Sequence, residues 1–127
     1  MQSVNASYVI LITHAPDQTE KALQALDSVR QLLVERGRIE QIFFYGPAVA
    51  YANCFLDYPS GLPNLQQQWL NIAAEQQIPL IVCSTVGSQY GLNALSPPEG
   101  NLQNGFSAGG LTEFVSTLAG VDHLLQL

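Results

Sequence analysis

A chain of 127 residues is long enough to bury a hydrophobic core without disulfide or metal staples. Its charged fraction is 11%, against roughly 25% in an ordinary soluble domain, which describes a single domain over residues 1–127 with a charge-poor surface. The net charge of −6, with all four basic residues (Lys21, Arg30, Arg36, Arg38) in the first third, excludes an extended nucleic-acid surface, because phosphate affinity needs clustered Lys and Arg.

The poverty of charge has two readings. One is a surface of uncharged polar residues, consistent with Gln66 to Gln68, Gln76 and Gln77; the sharper one is burial of apolar patches against other subunits. The stretch Met1 to Ala6 has no basic segment and no small-residue cleavage site. The apolar run Tyr8 to Ile12 is too short to cross a bilayer, so a cytoplasmic chain without a membrane segment is expected. Cys54 and Cys83 lack CxxC spacing and have no neighbouring His or Cys to complete a metal site, so both are expected as free thiols and no metal is expected.

In chain order, Ser7 to Thr13 reads as a first strand, continuously apolar as a parallel strand covered on both faces would be. Asp17 with Glu20 resembles a capping box, and Ala22, Ala25, Leu26, Val29, Leu32 and Leu33 make one helical face that Gly37 ends. Ile39 to Tyr45 reads as a second strand, stopped by Gly46-Pro47, with a short helix over Ala48 to Cys54. Phe55 to Pro63 is a turn-rich loop. Leu65, Trp69, Ile72 and Ala73 predict a helix over Asn64 to Gln77, with Trp69 assigned to packing. Leu80 to Cys83 is the third strand, and Val86 to Tyr90 a helical turn ending at Gly91. Ser96 to Gly110 reads as a long polar connection; a further strand near Leu102 to Phe106 is weakened by Gly105. A helix carrying Leu111, Phe114, Val115, Leu118 and Ala119 follows, and Asp122 to Leu127 closes the chain as a strand.

Strands alternating with helices predict an α/β fold, a three-layer α/β/α sandwich with a mostly parallel central sheet of 4–5 strands. The architecture is flavodoxin- or Rossmann-like but carries no nucleotide motif: GxGxxG and the P-loop are absent, and the Thr13 to Thr19 loop lacks the glycine that phosphate approach requires. No cofactor is expected, and a flavin or nucleotide binder stands as a lesser reading.

In open parallel sheets the functional crevice lies beyond the carboxyl ends of the strands, which directs attention to Thr13-His14, Tyr45-Gly46 and Cys83-Ser84. Cys83 ends a strand and precedes a turn opening a helix, where backbone N–H groups and a helix dipole would favour the thiolate. The competing reading is a small apolar residue finishing a core strand. Spacing excludes a tyrosine-phosphatase loop, which needs Arg six positions after the cysteine where this chain has Gln89, and a rhodanese loop, which needs a basic residue where Ser84 and Thr85 stand. What is left is a bare thiol, suited to carrying sulfur by thiolate exchange without an acid–base pair. Cys54 reads as a packed core cysteine, and His14 and His123 as incidental.

The ordered set Ile78-Pro79-Leu80-Ile81-Val82-Cys83, then Asn101-Leu102-Gln103-Asn104-Gly105-Phe106 to Gly109-Gly110-Leu111, then Val121-Asp122-His123-Leu124-Leu125, resembles the DsrE/TusD family across essentially the whole chain. Gln41 to Tyr45 and Tyr51-Ala52-Asn53 share in the resemblance. It implies a sulfurtransferase, a carrier subunit that holds sulfur as a persulfide on Cys83. The implied partners are homologous small subunits of a heterohexamer (TusB/TusC or DsrF/DsrH type) and sulfur donor and acceptor proteins. The implied pathway is tRNA wobble-uridine 2-thiolation, or the same chemistry in dissimilatory sulfur oxidation, or a non-catalytic scaffold role in such a complex. Some members carry arginines in the turn after the cysteine, where this chain has Ser88-Gln89-Tyr90.

Overall fold

The computed structural model describes residues 6–127. The reading of the first five residues lies outside the described residues. Within them run β1 (Ser7–Ile12), α1 (Thr19–Val34), β2 (Arg38–Phe44), a 3₁₀ segment (Gly46–Ala52), α2 (Leu65–Gln76), β3 (Leu80–Cys83), α3 (Ser84–Gln89), β4 (Phe106–Gly109), α4 (Leu111–Leu118) and β5 (His123–Gln126). The five strands form one sheet in the order β4-β3-β2-β1-β5, and every pairing is parallel. The predicted α/β sandwich is the observed fold.

Three steps carry the chain outward from β1 to β4, and the last returns it to the other side of β1. That reversal separates the helical layers. Phe44 meets Trp69 of α2 edge to face, at a centroid distance of 6.0 Å, on the side where α1 packs beside α2. Phe43, pointing to the opposite face as consecutive strand residues must, lies 4.7 Å from Phe114 of α4. Burial on both faces is why β1 and β2 are nearly unbroken apolar runs: Val9, Ile10, Ile12, Ile42, Phe43 and Phe44 are all fully buried.

Several element ends differ from the sequence reading. Asp17 does not cap α1; the N-cap is Gln18, without a side-chain bond. Pro16 and Asp17 occupy the middle of a turn closed by the Gln18 N–H on the Ala15 carbonyl at 3.1 Å, which carries Asp17 away from the first helical N–H groups. At the other end the left-handed residue is Arg36 (φ 67°), not Gly37. Arg36 N–H bonds to the Leu33 carbonyl and Gly37 N–H to that of Leu32, the paired bonds of a Schellman ending. Gly37 serves close approach instead: a Cβ there would sit 3.1 Å from the Tyr8 ring and from the Leu32 oxygen.

The helix expected over Ala48 to Cys54 is the 3₁₀ segment, set two residues earlier, and it leaves Cys54 beyond its end. The further strand expected near Leu102 to Phe106 forms instead at Phe106–Gly109. Gly105 has φ 104°, which ends the connection rather than joining a strand, while Leu102 makes only an isolated bridge to Asn53. Asn64 caps α2 by accepting the Gln67 N–H at 3.0 Å.

Phe44 touches Tyr51, Trp69 and Phe106 edge to face. Truncating it leaves a cavity that three fixed aromatic rings cannot close. Phe44→Ala is expected to cost about 3–5 kcal/mol, read as a lowered urea midpoint at unchanged slope.

Candidate functional site

Cys83 is the last residue of β3 and, with φ −67° and ψ 111°, the N-cap of α3. Strand passes to helix with no intervening loop. Cys83 therefore still lies in register with Gly109 of β4, and strand alternation puts its side chain on the same face as Ile81, the face that α4 covers. Cys83 is 2% exposed. Among the described residues it receives no hydrogen bond from the first-turn N–H groups of α3, so the expected backbone cradle is not formed. The reason is that unbroken register: the side chain remains against the sheet instead of standing over the helix end.

The register partner of Cys83 is a glycine for a packing reason. A Cβ on Gly109 would stand 2.6 Å from Ile81 Cγ2 and 3.3 Å from the Glu113 carboxylate, so the missing side chain lets Ile81 and Glu113 close over β4. The Ser84 hydroxyl donates to the Gly109 carbonyl at 3.4 Å, tying the start of α3 to the same strand.

The other two strand ends are linked to each other. His14, read as incidental from sequence, is only 5% exposed, and its Nε2 lies 2.9 Å from the Tyr51 hydroxyl of the 3₁₀ segment. Burial pushes the His14 pKa down; the Leu127 carbonyl opposes this, and the Lys21 charge adds to it. Burial likewise pushes the Tyr51 phenol well above its ordinary value, with the Tyr58 and Asp17 charges acting the same way and the Trp69 side chain against it. Both groups are therefore neutral at pH 7. Gln66 anchors this corner, its side-chain amide donating to the Tyr51 carbonyl at 2.8 Å and the Asn53 carbonyl at 3.0 Å.

Among the described residues, His14 Nδ1 is buried without a hydrogen-bond partner. The Leu127 carbonyl is near enough to raise the pKa, but it already accepts the Thr13 N–H at 3.2 Å and the Thr13 hydroxyl at 3.4 Å.

Cys54 is half-exposed rather than packed in the core, because it follows the 3₁₀ segment and its N–H donates to the Asn101 carbonyl at 2.8 Å. His123 lies at the opposite, amino end of the sheet, its ring 5.1 Å from that of Tyr8, away from the crevice. Trp69 is a core residue, as its helical spacing predicted. The role that sequence reasoning missed is the pairing of His14 with Tyr51. The sole available signal was that both follow strand ends.

Comparison with known proteins assigns the chain to a family. The model of the DsrE/DsrF-like family matches residues 6–127, and the chain belongs to that family. Sulfurtransferase TusD of Pectobacterium atrosepticum is 29% identical over 126 residues, covering 94% of this chain and 98% of the relative. The Sulfurtransferase TusD homolog of Pasteurella multocida is 27% identical with the same coverage. Among solved structures, the crystal structure of the ychN protein from E. coli superimposes with a TM-score of 0.77, covering 96% of this chain and 99% of that one. At 24% identity that likeness speaks to the fold.

The buried His14 makes stability depend on pH in a stated direction. Its folded pKa lies below the unfolded value of 6.5, so the unfolded chain takes up the proton first. Its contribution is complete above pH 6.5 and is lost as the pH falls toward the folded value. The urea midpoint of the wild-type chain should drop between pH 7 and 5. In His14→Gln, which cannot titrate, that part of the slope should disappear.

Proposed function

We propose that this member of the DsrE/DsrF-like family is a sulfur-relay subunit in which Cys83 carries sulfane sulfur as a persulfide and passes it to a cysteine of a partner protein. The observation that carries the reading is the place of Cys83: the last residue of a buried parallel strand, at the edge where open α/β sheets hold their chemistry, in a chain similar over 94% of its length to proteins named sulfurtransferases.

The chemistry asks little of the site. The Cys83 thiolate attacks the terminal sulfur of a donor persulfide, the donor S–S bond breaks, and the donor thiolate leaves with the bonding pair. An acceptor thiolate then attacks the terminal sulfur held on Cys83 in the same way. The sulfane sulfur changes partners with no net oxidation, and no general acid or base is required. A thiol closed off within one chain also shields a persulfide from water and oxidants. Exchange then requires a docking protein to open the cover that the eight-residue α4 provides on that face.

Assembly with homologous small subunits (TusB/TusC or DsrF/DsrH type) fits the surface. Leu111 and Val115 of α4 and Leu124 of β5 are exposed on or beside the face that this single short helix covers. A cytoplasmic role in wobble-uridine 2-thiolation would leave RNA contact to a partner, since nothing after Arg38 carries a full positive charge. Carriage of sulfur in dissimilatory oxidation uses the same step. The burial of Cys83 and its missing backbone bonds favour a second reading, a scaffold subunit with an inert thiol.

Incubating the assembled protein with cysteine and a cysteine desulfurase relay separates the two. The carrier reading expects a gain of about 32 Da at Cys83, one sulfur atom per thiol, abolished in Cys83→Ser and retained in Cys54→Ser. Uptake by Cys83→Ser would defeat the assignment to Cys83, and an unmodified wild-type chain in the assembly would establish the scaffold.

A further inference from the structure

The surroundings of Cys83 are almost without charge. In the four elements around the thiol, β3, α3, β4 and α4, the only acidic or basic residue is Glu113, in the first turn of α4. The four cations of the chain lie elsewhere: Lys21 and Arg30 in α1, Arg36 just after it and Arg38 in β2.

The Glu113 carboxylate is carried back over the sheet. Its Oε2 stands 3.3 Å, and its carboxyl carbon 3.5 Å, from the place a Cβ on Gly109 would take. Gly109 is the parallel register partner of Cys83, so that place and the Cys83 side chain lie on the same face, one strand spacing apart. A spacing of roughly 5 Å plus the contact puts the carboxylate on the order of 8 Å from the thiol. Glu113 is exposed where Cys83 is buried. Its charge therefore stands on the solvent side of the cover that a partner has to open.

The relay chemistry gives that charge a consequence. Each reacting species is an anion: the Cys83 thiolate, the terminal sulfur of a persulfide, and the thiolate that attacks or leaves. A fixed carboxylate beside them opposes a reactant that brings more negative charge and favours one that brings positive charge. An acidic residue in the first turn of α4 also favours the helix dipole, but that role is met with the side chain in water and does not call for the reach to Gly109.

We infer that Glu113 selects the exchange partners of Cys83, favouring a protein cysteine flanked by lysine or arginine and turning away small anionic thiols such as hydrosulfide. The inference rests on the relay reading and adds to it the charge class of donor and acceptor.

The test uses two methanethiosulfonates of equal reach and opposite charge, the ethylammonium and the ethylsulfonate. Each is reacted with the full chain carrying Cys54→Ser, at one pH and low ionic strength, at concentrations where the rate is first order in reagent. In both reactions the Cys83 thiolate forms a mixed disulfide and methanesulfinate leaves, and the adduct is read by intact mass. Both reagents need the same opening of the cover, so the ratio of their rates reports charge near the thiol rather than stability. The ammonium reagent should react faster with the parent chain, and Glu113→Gln should lower that ratio by about fivefold, the effect of one charge at that distance on two reagents of opposite sign. Glu75→Gln, which removes a carboxylate from α2 in the opposite layer, should leave the ratio unchanged. The inference is overturned if Glu113→Gln leaves the ratio unmoved, if Glu75→Gln moves it as far, or if the thiol reacts with neither reagent. Sulfur uptake from the desulfurase relay is read separately by mass. A chain that loads sulfur without the charge preference loses this inference alone, and one with the preference that never loads sulfur loses the relay reading.

Discussion

Phe43 and Phe44 are consecutive, fully buried, and face opposite ways, and the rest of the molecule is arranged around that constraint. A parallel strand buried on both faces must be covered by helices on both, so the chain has to cross above the sheet, reverse, and cross below it. Trp69 and Tyr51 close around Phe44 on one side and Phe114 around Phe43 on the other. The aromatic contacts thereby fix where α2, the 3₁₀ segment and α4 sit, and with them the carboxyl edge at which every candidate functional group gathers.

Two kinds of site come to that edge, built on different physics. At the end of β3 a thiol is held by strand register alone: Cys83 opposite Gly109, with Ile81 and Glu113 closing the space a side chain would have filled. At the end of β1 an imidazole is held by a hydrogen bond in a region dry enough to push its pKa down and that of Tyr51 up. The first arrangement holds a thiol out of solvent, so any exchange at it depends on movement or on a partner. The second keeps an imidazole and a phenol in fixed mutual orientation.

The two helical layers are unequal. α1 and α2 present 16 and 12 residues to one face, α4 only eight to the other. The thin layer is the one over Cys83, and it is where Leu111, Val115 and Leu124 remain exposed. An incomplete cover over Cys83 fits a subunit whose burial is finished by another chain, which also gives the low charge of the sequence a physical meaning.

What the amino-acid sequence determined by itself is whatever depends on local pattern. Unbroken runs such as Ile42-Phe43-Phe44 mark strands covered on both sides, Leu65, Trp69 and Ile72 at helical spacing mark a packed face, and Cys83 before Ser84 marks a strand end worth examining. Element ends were less legible, because caps depend on turn geometry: Pro16 took Asp17 out of capping position, and Arg36 took the left-handed conformation expected of Gly37. Tertiary structure alone decided that His14 meets Tyr51 across 37 positions of sequence, and that Cys83 stays in register with Gly109 and hence buried. Periodicity reports which residues leave water. Which polar group faces which is set by strand order and register, and no local pattern encodes those.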